Sequence, residues 1–312
     1  MKIKDSRVLL LTLGSHQLAQ TKAFEDASLS CWSINWKAFA ISGKLGELSY
    51  TIQAFHPHLS FLQLQSTLLP VEFVRAIPGV KVLWTGDVRE PFPDYSTTYL
   101  NEVSISLFTN EEDVSYLRSH NRTAGFLDIG YDDGIFMPDG VQTVGHDVVF
   151  FGNNYVNRFP LSRSRMDLVN FLTRIPRIDV GVYGKNWGDL GISDLTNNPF
   201  EEAAIYRSSK IGINYSHFNR TNYSSDRIYR MMGSGCFCLA YHHKGIEKSF
   251  TPGVHLDTWR DFSELEHKIQ YWLENPCHRY QIARAGCTHV QQNHSWKKRV
   301  EQLEEILNGN NP

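Results

Sequence analysis

Two arginines three residues apart, Arg227 and Arg230, stand at the start of a short predicted helix in the second half of the chain. This spacing places both guanidinium groups on one face of the helix. Cations at a helix N-terminus oppose the helix dipole unless an anion offsets them, and the first backbone N–H groups attract the same anion. A solvated helix face is the alternative interpretation. The pattern favours a site for a phosphate-bearing ligand.

Four loops in the same half carry glycine or polar residues directly after predicted strands. Gly and Asn at strand ends are most often turn residues, so each loop alone is ordinary. Because the carboxyl ends of parallel strands meet at one edge of a sheet, four such loops beside a helix N-terminus favour a ligand site. The loops are Gly152-Asn153-Asn154, Tyr183-Gly184-Lys185-Asn186-Trp187, Asn214-Tyr215-Ser216 and Ser224-Ser225-Asp226-Arg227.

Candidate catalytic side chains also occur in the first half. Asp87 follows a buried apolar run, and a carboxylate there could deprotonate a hydroxyl group; a turn or helix-cap role is equally consistent. His16 follows the first predicted strand and could contact a substrate, although most histidines are structural. Together with Arg227, these residues are the predicted catalytic set.

The elements that would position these residues alternate along the chain. The run Val8–Leu13 is continuously apolar, which is typical of a parallel strand buried on both faces. Ser263 and Glu266 have the spacing of a capping box, which predicts a helix start at Ser263. Further strands are predicted at 59–64, 80–84, 103–108, 147–152, 178–183, 210–215 and 237–241, and helices at 16–30, 69–77, 111–120, 163–174, 200–208, 263–274, 277–291 and 295–307.

This alternation predicts two α/β parallel-sheet domains in tandem, with ligands at the carboxyl ends of the strands in the cleft between them. A Gly-, Asp- and Pro-rich stretch over 126–138 indicates a domain edge. We predict a first domain over 1–145, a second over 146–292, and a C-terminal segment over 293–312.

Composition excludes several classes of function. The net charge of −2 gives no overall basic field that would recruit nucleic acid or an anionic membrane. The apolar run near the start is too short for a membrane span. No dinucleotide, Walker A or Gly-x-Ser-x-Gly motif is present, and the five cysteines lack metal-ligand spacing. We therefore expect a cytoplasmic protein without a metal or a tightly bound cofactor.

One further pattern resembles a known family, and it covers about 147–307. The segments that carry the resemblance are Ser225-Asp226-Arg227-Ile228-Tyr229, Gly233-Ser234-Gly235, Gly245-Ile246-Glu247, Pro252-Gly253 and His294-Ser295-Trp296-Lys297-Lys298-Arg299. Their order and spacing are similar to those of the CgeB-like, or spore-maturation, glycosyltransferases, which have a group 1-like C-terminal domain. The resemblance implies the GT-B fold: two Rossmann-like domains facing a central cleft, with the last helix crossing back onto the first domain.

The resemblance also implies a donor and roles for individual residues. The donor would be a nucleotide-diphosphate sugar, and we expect a UDP-sugar. Tyr183, Gly184 and Trp187 would lie near the base, and Ser225 and Arg227 near the diphosphate. The sugar-side loop would consist of Lys244, Gly245 and Ile246, while Gly152, Asn153, Asn186 and Asn214 complete the predicted donor site.

The chain departs from the family at Arg230. Relatives usually carry a glutamate there, three residues after the arginine, which accepts hydrogen bonds from the ribose diol. A guanidinium has only donors and cannot replace that carboxylate. Either the ribose is recognised differently, or Arg230 binds a phosphate.

The sequence thus predicts a metal-independent glycosyltransferase that acts on a hydroxyl acceptor. The acceptor could be a glycan, a protein, a small molecule or a modified nucleic-acid base; Arg158, Arg163 and Arg165 could line a rim for the last of these. Two alternatives remain open at this point: a catalytically inactive GT-B module that binds nucleotide sugar or glycan, and a nucleotide-sugar epimerase.

Overall fold

The structure, a computed structural model, describes residues 1–13, 18–90, 92–143, 145–191 and 198–309. The chain divides into two compact units. The first is Met1–Gly130 with Trp296–Pro312, and the second is Tyr131–Ser295. These limits differ from the predicted boundaries at 145/146 and 292/293. The difference arises because the segment after Gly130 packs within the second unit, where Arg207 Nε donates to the carbonyl oxygen of Val141 over 2.9 Å.

The first unit contains a six-stranded parallel sheet in the order β2-β1-β3-β4-β5-β6. As the apolar run predicts, Val8–Leu11 of its first strand are fully buried. The strands are β1 Arg7–Thr12, β2 Ser30–Asn35, β3 Leu59–Leu62, β4 Val80–Thr85, β5 Ile105–Phe108 and β6 Ala124–Phe126, and the helices that connect them are α1 Leu18–Ala27, α2 Trp36–Ile41, α3 Leu45–Phe55, α4 Val71–Ala76, α5 Asp94–Thr98 and α6 Glu111–Ser119.

The second unit contains a five-stranded parallel sheet. Its strands are β7 Val148–Phe151, β8 Val180–Tyr183, β9 Ile211–Asn214, β10 Phe237–Tyr241 and β11 Asp257–Trp259, with helices α7 Ser162–Leu172, α8 Pro199–Ser208, α9 Asp226–Gly233, α10 Phe262–Glu274 and α11 Pro276–Asn293. The order β11-β10-β9-β7-β8 repeats the winding of the first sheet. Its direction reverses between β7 and β9, and ligands bind at such switch points in doubly wound sheets.

The last helix, α12 Trp296–Leu307, is part of the first unit and packs against α1. Trp296 contacts the Trp84 indole edge-on, with 5.3 Å between ring centres. Arg299 forms a buried ion pair with Asp128 over 3.6 Å and donates to the carbonyl oxygen of Ile129. An aromatic contact and a buried charge pair therefore hold the helix in this unit. Across the described ranges, no helix combines the length and the hydrophobicity that crossing a bilayer requires.

The structure differs from the sequence prediction at one helix start and in several short elements. The capping box predicted a helix start at Ser263, but α10 begins at Phe262. The Asp261 carboxylate accepts from the N–H of Glu264, and the Glu264 carboxylate accepts from the N–H of Arg260. Asp caps a helix as well as Ser does, so the same motif lies two residues earlier. The edge strands β2, β6 and β11 and the helices α2, α3 and α5 were not predicted. Short or half-polar edge strands lack a continuous apolar run.

Candidate functional site

The carboxyl ends of β7 and β9 carry the loops in which the sequence predicted a ligand site. Gly152 follows β7 with φ of 153° and donates its N–H to the carbonyl oxygen of Tyr183 over 2.9 Å. Gly184 follows β8 with φ of 135°, and a Cβ there would overlap the carbonyl oxygen of Gly152. Gly184 requires glycine because the two backbones approach too closely for a side chain, whereas a Cβ at Gly152 would meet the Arg165 side chain.

Hydrogen bonds join these two loops. The Trp187 indole donates to the carbonyl oxygen of Gly152 over 2.6 Å. The Asn153 side chain accepts from the N–H of Lys185 over 2.9 Å, and Asn186 donates to the carbonyl oxygen of Asn154 over 3.3 Å. The predicted residues of both loops therefore form one connected surface.

Two predicted base-side residues lie in the core. The Tyr183 ring stacks on Phe151 with 4.8 Å between ring centres, and its hydroxyl meets Nε2 of His146 at 2.9 Å. Burial raises the pKa of Tyr183. The Trp187 side chain is also buried. In this loop the Asn186 side chain is exposed, whereas the aromatic rings mainly pack the sheet.

The loop after β9 meets the start of α9. Ser225 occupies the N-cap position, but its hydroxyl donates to the Asn214 side chain over 2.9 Å and makes no side-chain capping bond. Arg227 lies in the first turn with 22% of its side chain exposed, and its nearest carboxylate oxygen, on Asp226, is 4.0 Å away. Asn214 and Ser225 are therefore in contact, and Arg227 follows in the first turn of α9.

Arg230 faces carboxylates instead. It contacts Glu202 at 3.1 Å and Asp226 at 2.5 Å, and its guanidinium lies 5.3 Å from the centre of the Phe136 ring. Burial acts to lower the pKa of Arg230, but the carboxylates of Asp226 and Glu202 outweigh it and raise that pKa. Burial raises the pKa of Glu202. The sequence offered no sign of Glu202 as a partner, because it comes from α8.

Arg165 is a site residue that the sequence analysis misplaced. The prediction grouped it with the exposed Arg158 and Arg163 on a rim, and for Arg165 that prediction is wrong, since it is 1% exposed. It lies on the buried face of α7 with Leu168 and Leu172. Its Nη1 donates to the carbonyl oxygen of Tyr215, which follows β9. Its Nη2 lies where a side chain of residue 152 would be.

The Arg165 guanidinium is incompletely satisfied. Its Nε and Nη2 atoms are buried and have no hydrogen-bond partner among the described residues. Its carbon lies 5.0 Å from the centre of the Phe150 ring. Burial, and then the charge of Arg227, lower the pKa of Arg165 well below its usual range. The spacing of Arg165 with Leu168 and Leu172 was the signal that could have placed it inside.

His217 adds a further polar group that the sequence analysis did not single out. Its ring packs against Tyr155 and Phe159, with 5.0 Å and 5.1 Å between ring centres. Its Nδ1 is buried without a partner in the described part of the chain. Burial, followed by the charges of Arg165 and Arg227, lowers the pKa of His217 to about 2. The imidazole is therefore neutral at physiological pH, chiefly because it is buried and further because two guanidinium charges lie near it.

The predicted sugar-side loop docks onto the segment before α9. The carbonyl oxygen of Lys244 accepts from the N–H of Asn222 over 2.8 Å, and Gly245 has φ of 87°. Lys244 is exposed, whereas Ile246 is buried and anchors the loop. This loop presents its backbone and one lysine.

In the first unit, Asp87 follows β4. Its Oδ2 accepts from the Gln65 side chain at 3.1 Å and from Arg89 at 2.9 Å, and 48% of its side chain is exposed. His16, the other predicted catalytic residue of this unit, lies outside the described residues. Within the described ranges, no three His, Cys, Asp or Glu side chains are grouped as metal ligands would be.

Comparison with known proteins agrees with this geometry. The sequence model of a family described as glycosyl transferase-like matches residues 163–305. None of the curated proteins matches the chain in sequence. The structure of Anabaena HepE in complex with UDP-glucose is 14% identical with a TM-score of 0.65, and the match covers 97% of this chain and 100% of that one.

Two further solved structures are similar over their full length. Sucrose-phosphate synthase from Thermosynechococcus elongatus is 12% identical with a TM-score of 0.66, covering 97% of this chain and 98% of that one. A glycosyltransferase from Rickettsia africae is 10% identical with a TM-score of 0.60, covering 97% of each chain. These matches confirm the predicted fold class, and the family match over 163–305 agrees with the predicted enzyme class. Residues 163–305 thus match a glycosyl transferase-like family, and the chain as a whole has the GT-B fold of these structures.

Proposed function

We propose that the protein transfers a sugar from a UDP-sugar to a hydroxyl acceptor, with the donor bound by the second unit. The observation that carries the proposal is the positive charge at the switch point of the second sheet. There Arg227 stands on the first turn of α9, and its nearest carboxylate oxygen is 4.0 Å away. The glycine loops after β7 and β8 lie at the same sheet edge. The choice of uracil as the base draws on HepE, whose structures contain UDP, UDP-glucose, or UDP and glucose.

The proposed residue roles follow from this arrangement. Ser225, Arg227 and the first N–H groups of α9 would bind the diphosphate, because a helix N-terminus and a guanidinium both attract phosphate. Asn186 and the backbone around Gly152 and Gly184 would approach the nucleoside. The Lys244–Gly245 backbone would line the sugar. Arg230 would hold α9 in place through Glu202 and Asp226.

Stabilisation of the leaving group would be the main catalytic term. The departing diphosphate gains negative charge, and fixed cationic donors stabilise that charge in the transition state. The proposal therefore requires no metal ion. If the reaction inverts the anomeric carbon, a base must accept the hydroxyl proton of the acceptor, and Asp87 is our candidate. If the reaction retains configuration, Asp87 would position the acceptor; His16 keeps its proposed role in substrate contact.

The finer assignments belong to the same proposal. The chain would be a CgeB-like member of the family that works in the cytoplasm without a tightly bound cofactor. Its acceptor would be a glycan, a protein, a small molecule or a modified nucleic-acid base. Arg158 and Arg163 are exposed on the second unit, and their positive charge would attract a polyanionic acceptor.

The test is a binding and turnover screen of purified protein against nucleotide-diphosphate sugars that differ in base and sugar. We expect a UDP-sugar to raise the melting temperature selectively, since ligand at about 100 times its Kd stabilises by about 2.7 kcal/mol. UDP release should then require Arg227. The matched control is Arg174→Ala, which removes an exposed arginine just after α7 in the same unit. Binding without any turnover would instead identify an inactive module, and interconversion of free nucleotide sugars would identify an epimerase.

A further inference from the structure

We infer that the buried guanidinium of Arg165 is a further phosphate-binding group, placed behind the loop of Gly152 and completed by an anionic group of the ligand. The inference rests on the proposed function, because it adds a residue to the same donor site. Arg165 lies on α7, away from the loops and the α9 terminus to which the sequence analysis assigned the donor.

The first argument is the cost of burying this charge. Moving an unpaired ion into the interior is among the most unfavourable events in folding, so buried charges are normally paired. Arg165 is 1% exposed, yet it makes a hydrogen bond only through Nη1, to a neutral carbonyl oxygen, and its Nε and Nη2 have no partner among the described residues. A buried polar group left unsatisfied in a native structure calls for a missing partner, and a cation calls for an anion.

The second argument is position. Arg165 reaches the carboxyl ends of both strands that flank the switch point. Nη1 contacts the residue that follows β9, Tyr215, and Nη2 lies against Gly152 after β7. Ligands of doubly wound sheets bind at this location. A charge buried for packing alone would have no reason to lie there.

The third argument is the chemistry around it. Burial and then the charge of Arg227 lower the pKa of Arg165, and burial followed by the charges of both guanidinium groups lowers the pKa of His217. A neutral ligand would leave this positive charge uncompensated, whereas a phosphate offers several acceptor oxygens that match the planar fork of arginine. The hydrogen bond to Tyr215 holds the fork in one orientation.

The experiment compares Arg165→Met with wild type, using three probes: UDP, uridine and inorganic pyrophosphate. Calorimetry gives each affinity, and thermal unfolding gives the stability of the free protein. We expect the variant to lose about 10- to 100-fold in affinity for UDP and pyrophosphate, the range of a charge-assisted hydrogen bond. Affinity for uridine should stay within about twofold of wild type. The melting temperature without ligand should stay the same or rise, since an apolar residue of similar length replaces an unpaired charge.

The matched control is Arg174→Met, which removes an exposed arginine just beyond the C-terminal end of the same helix. It should leave the three affinities unchanged. A structural role predicts the opposite pattern for Arg165→Met: a lower melting temperature and an unchanged ratio of UDP to uridine affinity. That pattern would overturn the inference.

Arg165→Lys is a second variant for the case in which Arg165→Met does not fold, because lysine keeps the charge but lacks the planar fork. An unchanged pyrophosphate affinity in Arg165→Lys overturns the inference, and a loss of about tenfold supports it. A failure of the proposed function gives a different result. If wild-type protein binds pyrophosphate through Arg165 but binds no nucleotide, the anion site is supported and the UDP-sugar donor is rejected.

Discussion

Nη2 of Arg165 occupies the space in which a side chain at position 152 would lie, so the glycine and the arginine depend on each other. Gly152 also has φ of 153°, a conformation that residues with a side chain rarely adopt. Two separate constraints, one steric and one conformational, therefore act on the same loop at the end of β7. Any substitution there must displace the guanidinium from its position beside Tyr215.

Gly152→Ala should accordingly reproduce the binding defect of Arg165→Met. The new methyl group pushes the guanidinium aside, so we expect a loss of about tenfold or more in UDP affinity. The unfavourable φ should also lower the free energy of unfolding by about 1–3 kcal/mol. Calorimetry with UDP and urea denaturation measure the two effects.

Gly253→Ala is the control for backbone strain. Gly253 has φ of 80°, and a Cβ there would meet open space. This variant should lose stability but keep its UDP affinity. Equal losses of affinity in both variants would show that strain, and not displacement of Arg165, weakens binding.

Arg227 and Arg230 should separate into a binding role and a structural role. Arg227→Ala removes a donor aimed at the developing charge of the diphosphate, so kcat/KM should fall about 10²- to 10³-fold with little change in stability. Arg230→Ala leaves the carboxylates of Glu202 and Asp226 without their partner. We expect about 2–3 kcal/mol of destabilisation, less than for a fully buried pair because a third of Arg230 is exposed.

Steady-state kinetics and urea unfolding on the two alanine variants give this comparison, with Arg230→Lys as the charge-preserving control. The sequence analysis allowed Arg230 a phosphate-binding role. A large loss of donor affinity in Arg230→Ala, at unchanged stability, would restore that role and contradict the structural one.

Most strands were predicted from the sequence, because parallel strands buried on both faces appear as continuous apolar runs. Continuous apolar runs such as Val8–Leu13 located the central strands to within one or two residues. The edge strand β2, over Ser30–Asn35, was missed because it is only half-buried and mixes polar with apolar residues. Pattern-based reasoning works where a strand is a continuous apolar run and misses strands that are very short or that mix polar with apolar residues.

The sequence predicted which loops lie at the site, but it did not predict the partners of the charged side chains there. Glycine and polar residues after strands marked Gly152, Gly184 and Asn214, since the topology brings such loops together. The partners of Arg230 could not be predicted, because the contact with Glu202 joins residues from two helices that are neighbours only in the fold. The burial of Arg165 could have been predicted, because its spacing with Leu168 and Leu172 places it on the apolar face of α7.

The stability of the second unit should fall in acid because of His217. Burial and two guanidinium charges lower its folded-state pKa to about 2, whereas the unfolded chain has an ordinary histidine pKa of about 6.5. Between these values the unfolded state binds more protons, so stability is lost as the pH falls below about 6.5. The loss from this residue is at most about 1.4 kcal/mol per pH unit. Hydrogen exchange of second-unit amides at several pH values measures it.

His217→Asn should flatten this pH profile by removing the titrating group. His243, whose pKa burial lowers to about 4, contributes in the same direction, so His243→Asn serves as the comparison. Its effect should end near pH 4, while that of His217 continues below. Identical profiles for His217→Asn and wild type would contradict the low pKa.

The final helix should depend on the buried pair between Arg299 and Asp128. Both side chains are almost fully buried, 3% and 5% exposed, and lie 3.6 Å apart. Arg299→Ala removes the guanidinium that faces the buried Asp128 carboxylate, so the first unit should lose about 3–5 kcal/mol. Hydrogen exchange reports the loss as faster exchange in α12, while amides of the second unit serve as the internal reference.

Two further variants separate the charge pair from general damage to the helix. Lys298→Ala breaks the more exposed contact with Glu301 on the same turn and should cost less than about 1 kcal/mol. The double variant Asp128→Leu with Arg299→Met removes both charges and should recover most of the stability, because apolar replacements of a buried pair are often neutral or stabilising. If the double variant is as unstable as Arg299→Ala, the lost stability comes from packing or from the hydrogen bond to Ile129. In that case the loss of the charge pair with Asp128 is not its cause.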